Sequence, residues 1–388
     1  MRQLKIPFLL ILFISFVVFI SCNSKTREQE NIEESEVAST PSDITELARA
    51  YADSVLQTMT IEEKAGQCLM PSIFAKSTPA SIVKFKRYLE DYHVGGIVFL
   101  KGDTKSAKTL SEIAEEISDS TGIGLFLSID AEWGLGMRLE DASIYPKNGN
   151  ISKELEDTEL FDYGREISKE SREAGINMIL GPVVDITTNP RNAIGNRSFG
   201  DNAELVSDYA VAYAKGLESG GVISVAKHFP GHGGAYNDSH VGIAKIYKGI
   251  TDMDSIDLKP FRDYVNAGLT GIMAGHIQSM ALDPDGNPAS VSVDMLTSLL
   301  REEMGFKGLI LTDAFTMRGA TGFSAKEAIA AGADLVLCPS DVEKEYHNLV
   351  ENLQNGCLDI EVINDRVYRI LFTKYLFGLT GGKDHKSP

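Results

Sequence analysis

Short apolar runs alternate with longer amphipathic stretches along most of this chain. The apolar runs cover residues 66–73, 95–100, 124–129, 177–184, 222–226, 269–274, 308–312 and 333–337, eight in all. Each has strand length and is apolar without alternation, the pattern of a strand buried on both faces. Between them, segments such as 106–118, 153–173, 203–217 and 325–331 repeat apolar residues at three-to-four spacing with charged residues opposite, which predicts helices. Eight alternations predict an α/β fold with a parallel sheet, closed as a (β/α)8 TIM-like barrel in a single catalytic domain; an open doubly wound sheet is the alternative.

The polar residues that end these runs support the barrel. Asp130 follows LFLSI, Asp185 follows LGPVV, Lys227 and His228 follow VISVA, His276 follows GIMAG, and Asp313 follows LILT. In a parallel barrel the C-terminal strand ends share one mouth, so these distant residues would converge on one pocket. The densest segment is KHFPGHGGAYNDSH, from Lys227 to His240, which crowds three histidines, a lysine and an aspartate between glycines. Such a loop adds nothing to a core, and titratable groups held at the end of a buried strand are where binding and catalysis concentrate.

The termini read differently. Arg2 and Lys5 precede an apolar stretch, residues 6–20, that ends at Ser21 and Cys22. That pattern resembles a bacterial lipoprotein signal, with residues 1–21 removed and Cys22 lipidated, so the protein is expected to be exported and anchored in the cell envelope. Residues 22–43 are polar and acidic and read as a flexible tether, 44–380 as the barrel, and 381–388 as a polar tail. The formal net charge of -18 disfavours nucleic acid as a partner, because counterion release needs clustered Lys and Arg. Cys68, Cys338 and Cys357, an odd number at wide spacing, predict no disulfide framework and read as small buried hydrophobes.

Five segments carry a family resemblance: IDAEWGLGMRL at 129–139, GPVVDI at 181–186, GNRSFG at 195–200, KHFPGHG with DSH at 227–240, and TDAFTM at 312–317. The chain resembles glycoside hydrolase family 3, specifically its single-domain bacterial β-N-acetylglucosaminidases. The resemblance implies Asp313 as nucleophile, His240 as general acid and base, and Asp238 as its orienting partner. It further implies that Asp130, Arg138, Arg197, Lys227 and His228 bind the sugar, with His232 and His276 lining the pocket. Asp185 is expected to brace Arg197. Trp133, Leu135 and Met137 replace the commoner glycine-rich pattern after Asp130, and Trp133 is read either as a sugar-stacking ring or as core. The substrate implied is a glycan or muropeptide containing N-acetylglucosamine, with no cofactor.

Rival readings remain at this level. His228 and His232 have zinc-like spacing, but Phe229, Pro230 and Gly231 between them disfavour a helix, and no metal is expected. A histidine acid and base leaves room for phosphate as acceptor, so a phosphorylase is one alternative. A β-glucosidase or β-xylosidase is another; many such enzymes take their acid from a second α/β domain, for which this chain is expected to be too short. The non-enzymatic alternative is a tethered glycan-binding lipoprotein.

Overall fold

All eight apolar runs contribute strands to one ring. In chain order the strands are β1 (Leu69–Met70), β2 (Ser72–Ala75), β3 (Gly96–Gly102), β4 (Phe126–Ile129), β5 (Met178–Ile179), β6 (Ile223–Phe229), β7 (Ala244–Ile246), β8 (Gly271–Ala274), β9 (Ile277–Ser279), β10 (Leu309–Thr312) and β11 (Val336–Leu337). This is a computed structural model, and it describes residues 41–381 except 154, 156, 190 and 191. The apolar leader, Cys22, most of the acidic stretch and nearly all of the polar tail therefore lie outside the described residues.

The ring follows from the pairings. β2, β3, β4, β5, β6, β8 and β10 form one parallel sheet in that order. A parallel bridge from Leu311 to Leu335 carries β10 toward β11, β11 pairs with β1, and β1 continues into β2 across Pro71. The circuit is closed, with eight positions around it, as a (β/α)8 barrel requires. Continuous burial explains the apolar runs: β4, β6, β8 and β10 are buried at every position.

The helices begin where the sequence supplies caps. Asp103, Asn202 and Asp341 each accept a backbone N–H in the first turn, and Thr60–Glu63 and Ser324–Glu327 form reciprocal capping boxes. The helix Thr104–Thr121 stops at Gly122, whose φ of 74° is the left-handed conformation that glycine adopts without a Cβ penalty.

Four sequence expectations shift. Residues 66 and 67 are helical, and the first strand is split by Pro71. The predicted strand 177–184 keeps two ladder residues, because Pro182 has no N–H to continue the ladder. The chain stays fastened to β6 even so, with Val225 N–H donating to Gly181 O at 2.7 Å and Lys227 N–H to Pro182 O at 3.0 Å. A helix begins at Pro41, inside the stretch read as tether. Cys68 and Cys338 are buried, whereas Cys357 is exposed.

At the N-terminal end of the barrel, buried charges are enclosed by partners. Asp334, fully buried, is gripped by Arg301, by Arg369 at 2.8 Å and by the Ile310 N–H at 2.7 Å. Glu218 joins the starts of β6 and β8, accepting from Ser224 Oγ at 2.6 Å and from the Thr270 N–H at 3.0 Å. Lys374 differs. Its ammonium is fully buried, donates to Gln67 Oε1 at 2.6 Å and sits 5.1 Å from the centre of the Phe126 ring. Burial without a carboxylate partner pushes its pKa down to about 7.

Lys374 therefore contributes a pH-dependent stability of known sign. The unfolded chain holds this proton up to a pKa of about 10.4, the folded chain only to about 7, so the unfolded state binds more protons between those values. Stability should rise with pH across that window, by up to about 1.4 kcal/mol per pH unit. Denaturant unfolding of wild type and Lys374→Met at pH 7 to 10 measures it: the wild type should gain on the variant as pH rises. A constant difference would mean that Lys374 titrates normally.

Candidate active site

The C-terminal strand ends open on a cleft of about 300 Å³. Asp130, Glu132, Arg138, Arg197, Lys227, His228, His232, Asp238, His240 and Asp313 line it, with apolar surface from Leu100, Met137 and Ile194 among others. Barrel closure brings these residues together from positions 130 to 313 of the chain.

Lys227, near the C-terminal end of β6, organises one wall. Its ammonium lies 2.7 Å from Asp130 Oδ1 and 2.9 Å from Glu132 Oε1 while the side chain is 2 % exposed. Asp130 Oδ2 accepts from Arg138 at 2.9 Å, and Glu132 takes Arg197 in a two-point grip at 2.7 and 3.0 Å. The result is a row alternating in sign from Arg138 through Asp130, Lys227 and Glu132 to Arg197. Burial opposes the ionisation of Asp130, Glu132, Lys227 and Arg197, but the opposite charges beside them outweigh it. Lys227 and then Arg197 hold Glu132 at about 2, Lys227 and then Arg138 hold Asp130 well below the usual carboxylate range, and the two carboxylates push Lys227 up. Asp130, Arg138 and Arg197 keep roughly a quarter to a third of their side-chain surface open.

Asp185 organises a second wall. One oxygen sits 2.7 Å from His228 Nδ1; the other accepts the backbone N–H of His228 at 3.2 Å and of His232 at 2.5 Å. A carboxylate only accepts, so His228 carries its proton on Nδ1 and leaves Nε2 for the cleft. Asp185 thus braces His228 and not Arg197, for which Glu132 is the partner. Glu132 is the residue that sequence reasoning missed. Its signal was the spacing: Asp130 and Glu132 are two apart at a strand end, which places both carboxylates on one side of an extended chain.

Asp313 stands just past β10. Its backbone N–H donates to Ala274 O at 2.8 Å, and its Oδ1 accepts the N–H of Ala314 at 2.8 Å. Burial would raise its pKa, but the imidazoles of His228 and His276, the Ala314 N–H and Lys227 hold it below the usual carboxylate range. It is a carboxylate near neutral pH, positioned by backbone on two sides.

Asp238 and His240 reach the cleft from the loop after β6. Asp238 Oδ1 takes both the backbone N–H of His240, at 2.9 Å, and its Nδ1, at 2.8 Å. Burial opposes ionisation of Asp238; the His240 N–H and imidazole prevail and keep its pKa low. The proton shared with Asp238 is therefore on Nδ1, and Nε2 is the nitrogen that can exchange protons with a ligand. Both side chains are open, at 39 % and 66 % exposure. The loop returns along β7, which pairs in parallel with β9, an element too short to show in the sequence pattern.

Two residues expected in the pocket lie elsewhere. His276 is fully buried behind Asp313, with Nδ1 2.8 Å from Ser290 Oγ and Nε2 3.1 Å from Ala314 O. Trp133 lines no part of the cleft and belongs to no core cluster; it is half-buried with the Lys147 ammonium 5.5 Å from its ring centre. Of the apolar residues beside it, Met137 lines the cleft and Leu135 packs into the core.

Comparison with known proteins bears on the fold and the family. A protein named Beta-hexosaminidase from Nitrosomonas eutropha is 33% identical over 264 residues, covering 64% of this chain and 74% of its own length. The glycoside hydrolase family 3 β-N-acetylglucosaminidase of Paenibacillus sp. superposes with a TM-score of 0.78 at 28% identity, over 85% of this chain. The match covers 65% of that enzyme, so the chain spans about two thirds of its length. The β-glucoside phosphorylase BglX bound to 2FGlc shares the fold, with a TM-score of 0.81 at 23% identity over 88% of this chain and 63% of its own. Residues 60–373 match the Glycosyl hydrolase family 3 N terminal domain, and this chain belongs to that family.

Proposed function

We propose that the protein is a retaining exo-β-N-acetylglucosaminidase, releasing terminal β-linked N-acetylhexosamine through a glycosyl-aspartate intermediate. The observation that carries this reading is that Asp313, an ionised carboxylate, and the Asp238–His240 pair line one cleft. The beta-hexosaminidase relatives support the sugar class. At about 300 Å³ the cleft is at the lower end of ligand pockets, which suits one sugar ring at a chain end.

The chemistry divides into two displacements. An oxygen of Asp313 bonds to the anomeric carbon as the glycosidic C–O bond breaks; the electron pair leaves with the glycosidic oxygen, which takes the proton from His240 Nε2. In the second step His240 Nε2 takes a proton from water, and the water oxygen displaces Asp313 from the anomeric carbon. Asp238 stabilises the imidazolium in its protonated stage. Asp130, Arg138, Arg197, Lys227 and His228 hold the ring hydroxyls with charge-assisted hydrogen bonds, which are stronger than neutral ones.

Removing the nucleophile should end turnover. Asp313→Ala is expected to abolish hydrolysis of an aryl β-N-acetylglucosaminide, with circular dichroism unchanged; activity within about tenfold of wild type would remove Asp313 from the role. His240→Ala should cost about 10²–10⁴-fold on substrates with poor leaving groups and far less on activated aryl glycosides, because only the former need a proton. Equal losses on both would count against an acid role. Product analysis in phosphate buffer separates hydrolysis from phosphorolysis: free N-acetylglucosamine is expected, and a sugar 1-phosphate as main product would replace the hydrolase reading.

A further inference from the structure

The loop that carries His240 is open at its tip but fastened at one residue. Asp238 and His240 are 39 % and 66 % exposed, while Ser239 between them is 3 % exposed. Ser239 Oγ lies 3.1 Å from His232 Nε2, and its carbonyl accepts the N–H of Gly319 at 3.2 Å. Gly319 belongs to the turn Arg318–Ala320, six residues beyond Asp313 on the same segment.

The space at Gly319 is already taken. A Cβ there would stand 2.7 Å from His276 Cβ, 3.0 Å from Ser239 O and 3.3 Å from Gly242 O. Only a residue without a side chain lets the two loops approach this closely. Below the contact, His232 is rigid: Asp185 takes its N–H, and the Asn192 side chain donates to its carbonyl at 2.8 Å and to Ala235 O at 2.9 Å. Above it, several hydrogen bonds close the loop on itself, from Asn237 Nδ2 to Ile243 O, from Lys245 N–H to Asn237 Oδ1 and from Val241 N–H to Asp238 O. These shape the loop and do not fix its place over the cleft.

We propose that Ser239 and Gly319, seated on His232, are positioning residues that tie the His240 loop to the segment carrying Asp313 and so set where the proton donor stands relative to the nucleophile. The proposal rests on His240 as the proton donor. Such a tie is chemically consequential because a general acid must come within hydrogen-bond reach of the leaving oxygen, and a displacement of about 1 Å can cost about 10²-fold. Ser239 and Gly319 touch no reacting atom in this arrangement; their effect passes through His240.

Ser239→Ala removes the hydroxyl contact, and Gly319→Ala sets a methyl against both His276 Cβ and Ser239 O, so that the turn must shift away from the loop and from His276. Each variant is measured in two ways: kcat/KM for β-N-acetylglucosaminides of graded leaving-group pKa, and amide hydrogen exchange across residues 237–243 in the free protein. The expected result is a loss of at least about tenfold on poor leaving groups, a loss under about threefold on activated ones, and faster exchange in the loop. Equal losses on all substrates would place the damage at Asp313 and overturn the proposal, as would exchange unchanged in both variants. If wild type cleaves no glycoside, the functional reading fails, while the exchange measurement still decides whether the loops are tied.

Discussion

The buried ammonium of Lys227 is the interaction on which the cleft depends. Taking that charge out of water costs several kcal/mol after relaxation, by the usual behaviour of buried ions, and only close opposite charges offset it. Asp130 and Glu132 provide them, and each carboxylate then needs a second cation, which Arg138 and Arg197 provide. One buried charge thereby fixes four others, drawn from the end of β4 and from the turns at Leu135–Met137 and Gly195–Arg197. Donors and acceptors held this way are oriented before substrate arrives, so little reorganisation is left for binding or reaction. The same constraint makes an Arg or Met in place of Lys227 a poor fit, because the site is sized for a point charge shared by two carboxylates.

Against this fixed wall, the residues proposed for catalysis differ in their freedom. Asp313 is held by backbone hydrogen bonds on both sides, whereas His240 stands on a loop whose tip is more than half exposed. The division suits the roles proposed for them. A nucleophile attacks along one line and gains from rigidity, while a group that gives a proton to one oxygen and takes it from another gains from reaching two positions. Glycines at 231, 233 and 234 allow the chain to leave β6 against neighbouring backbone, with Gly233 packed on Ile186 and Gly231 beside Asp257. The exposed part of the loop therefore begins only after the chain has been packed against the strand ends.

The barrel was legible because burial on both faces leaves a simple mark, an apolar run without alternation, and every ring strand carried it. The losses have local causes. Pro71 and Pro182 withhold the N–H that a ladder needs, so two predicted strands shorten or divide while keeping their place in the ring. β7 and β9, with three residues each, are too short for any periodicity to register. Among site residues, those at strand ends announced themselves by position. Glu132 did not, because it stands three residues past the end of β4, where the chain has already left the ladder. Trp133 shows the opposite error: a lone aromatic in a conspicuous segment, placed by the turn at Leu135–Met137 away from the cleft.

Buried charge occurs at both ends of this barrel, so burial and perturbed pKa alone do not mark the site. What separates the ends is the use of hydrogen-bonding capacity. Asp334, 0 % exposed, meets arginine and backbone donors, half-buried Glu218 meets backbone and hydroxyl donors, and neither lines the cleft. They join strand starts, and a ligand would find nothing to bind. At the opposite end Asp130 and Arg138 pair with each other and Arg197 pairs with Glu132, yet all three keep open surface, His228 holds Nε2 free of its brace, and Asp313 retains an oxygen beyond the one that takes the Ala314 N–H. Saturated charges build the frame and unsaturated ones face the cleft. By that criterion the N-terminal network is structural, and the C-terminal one is where chemistry can be done.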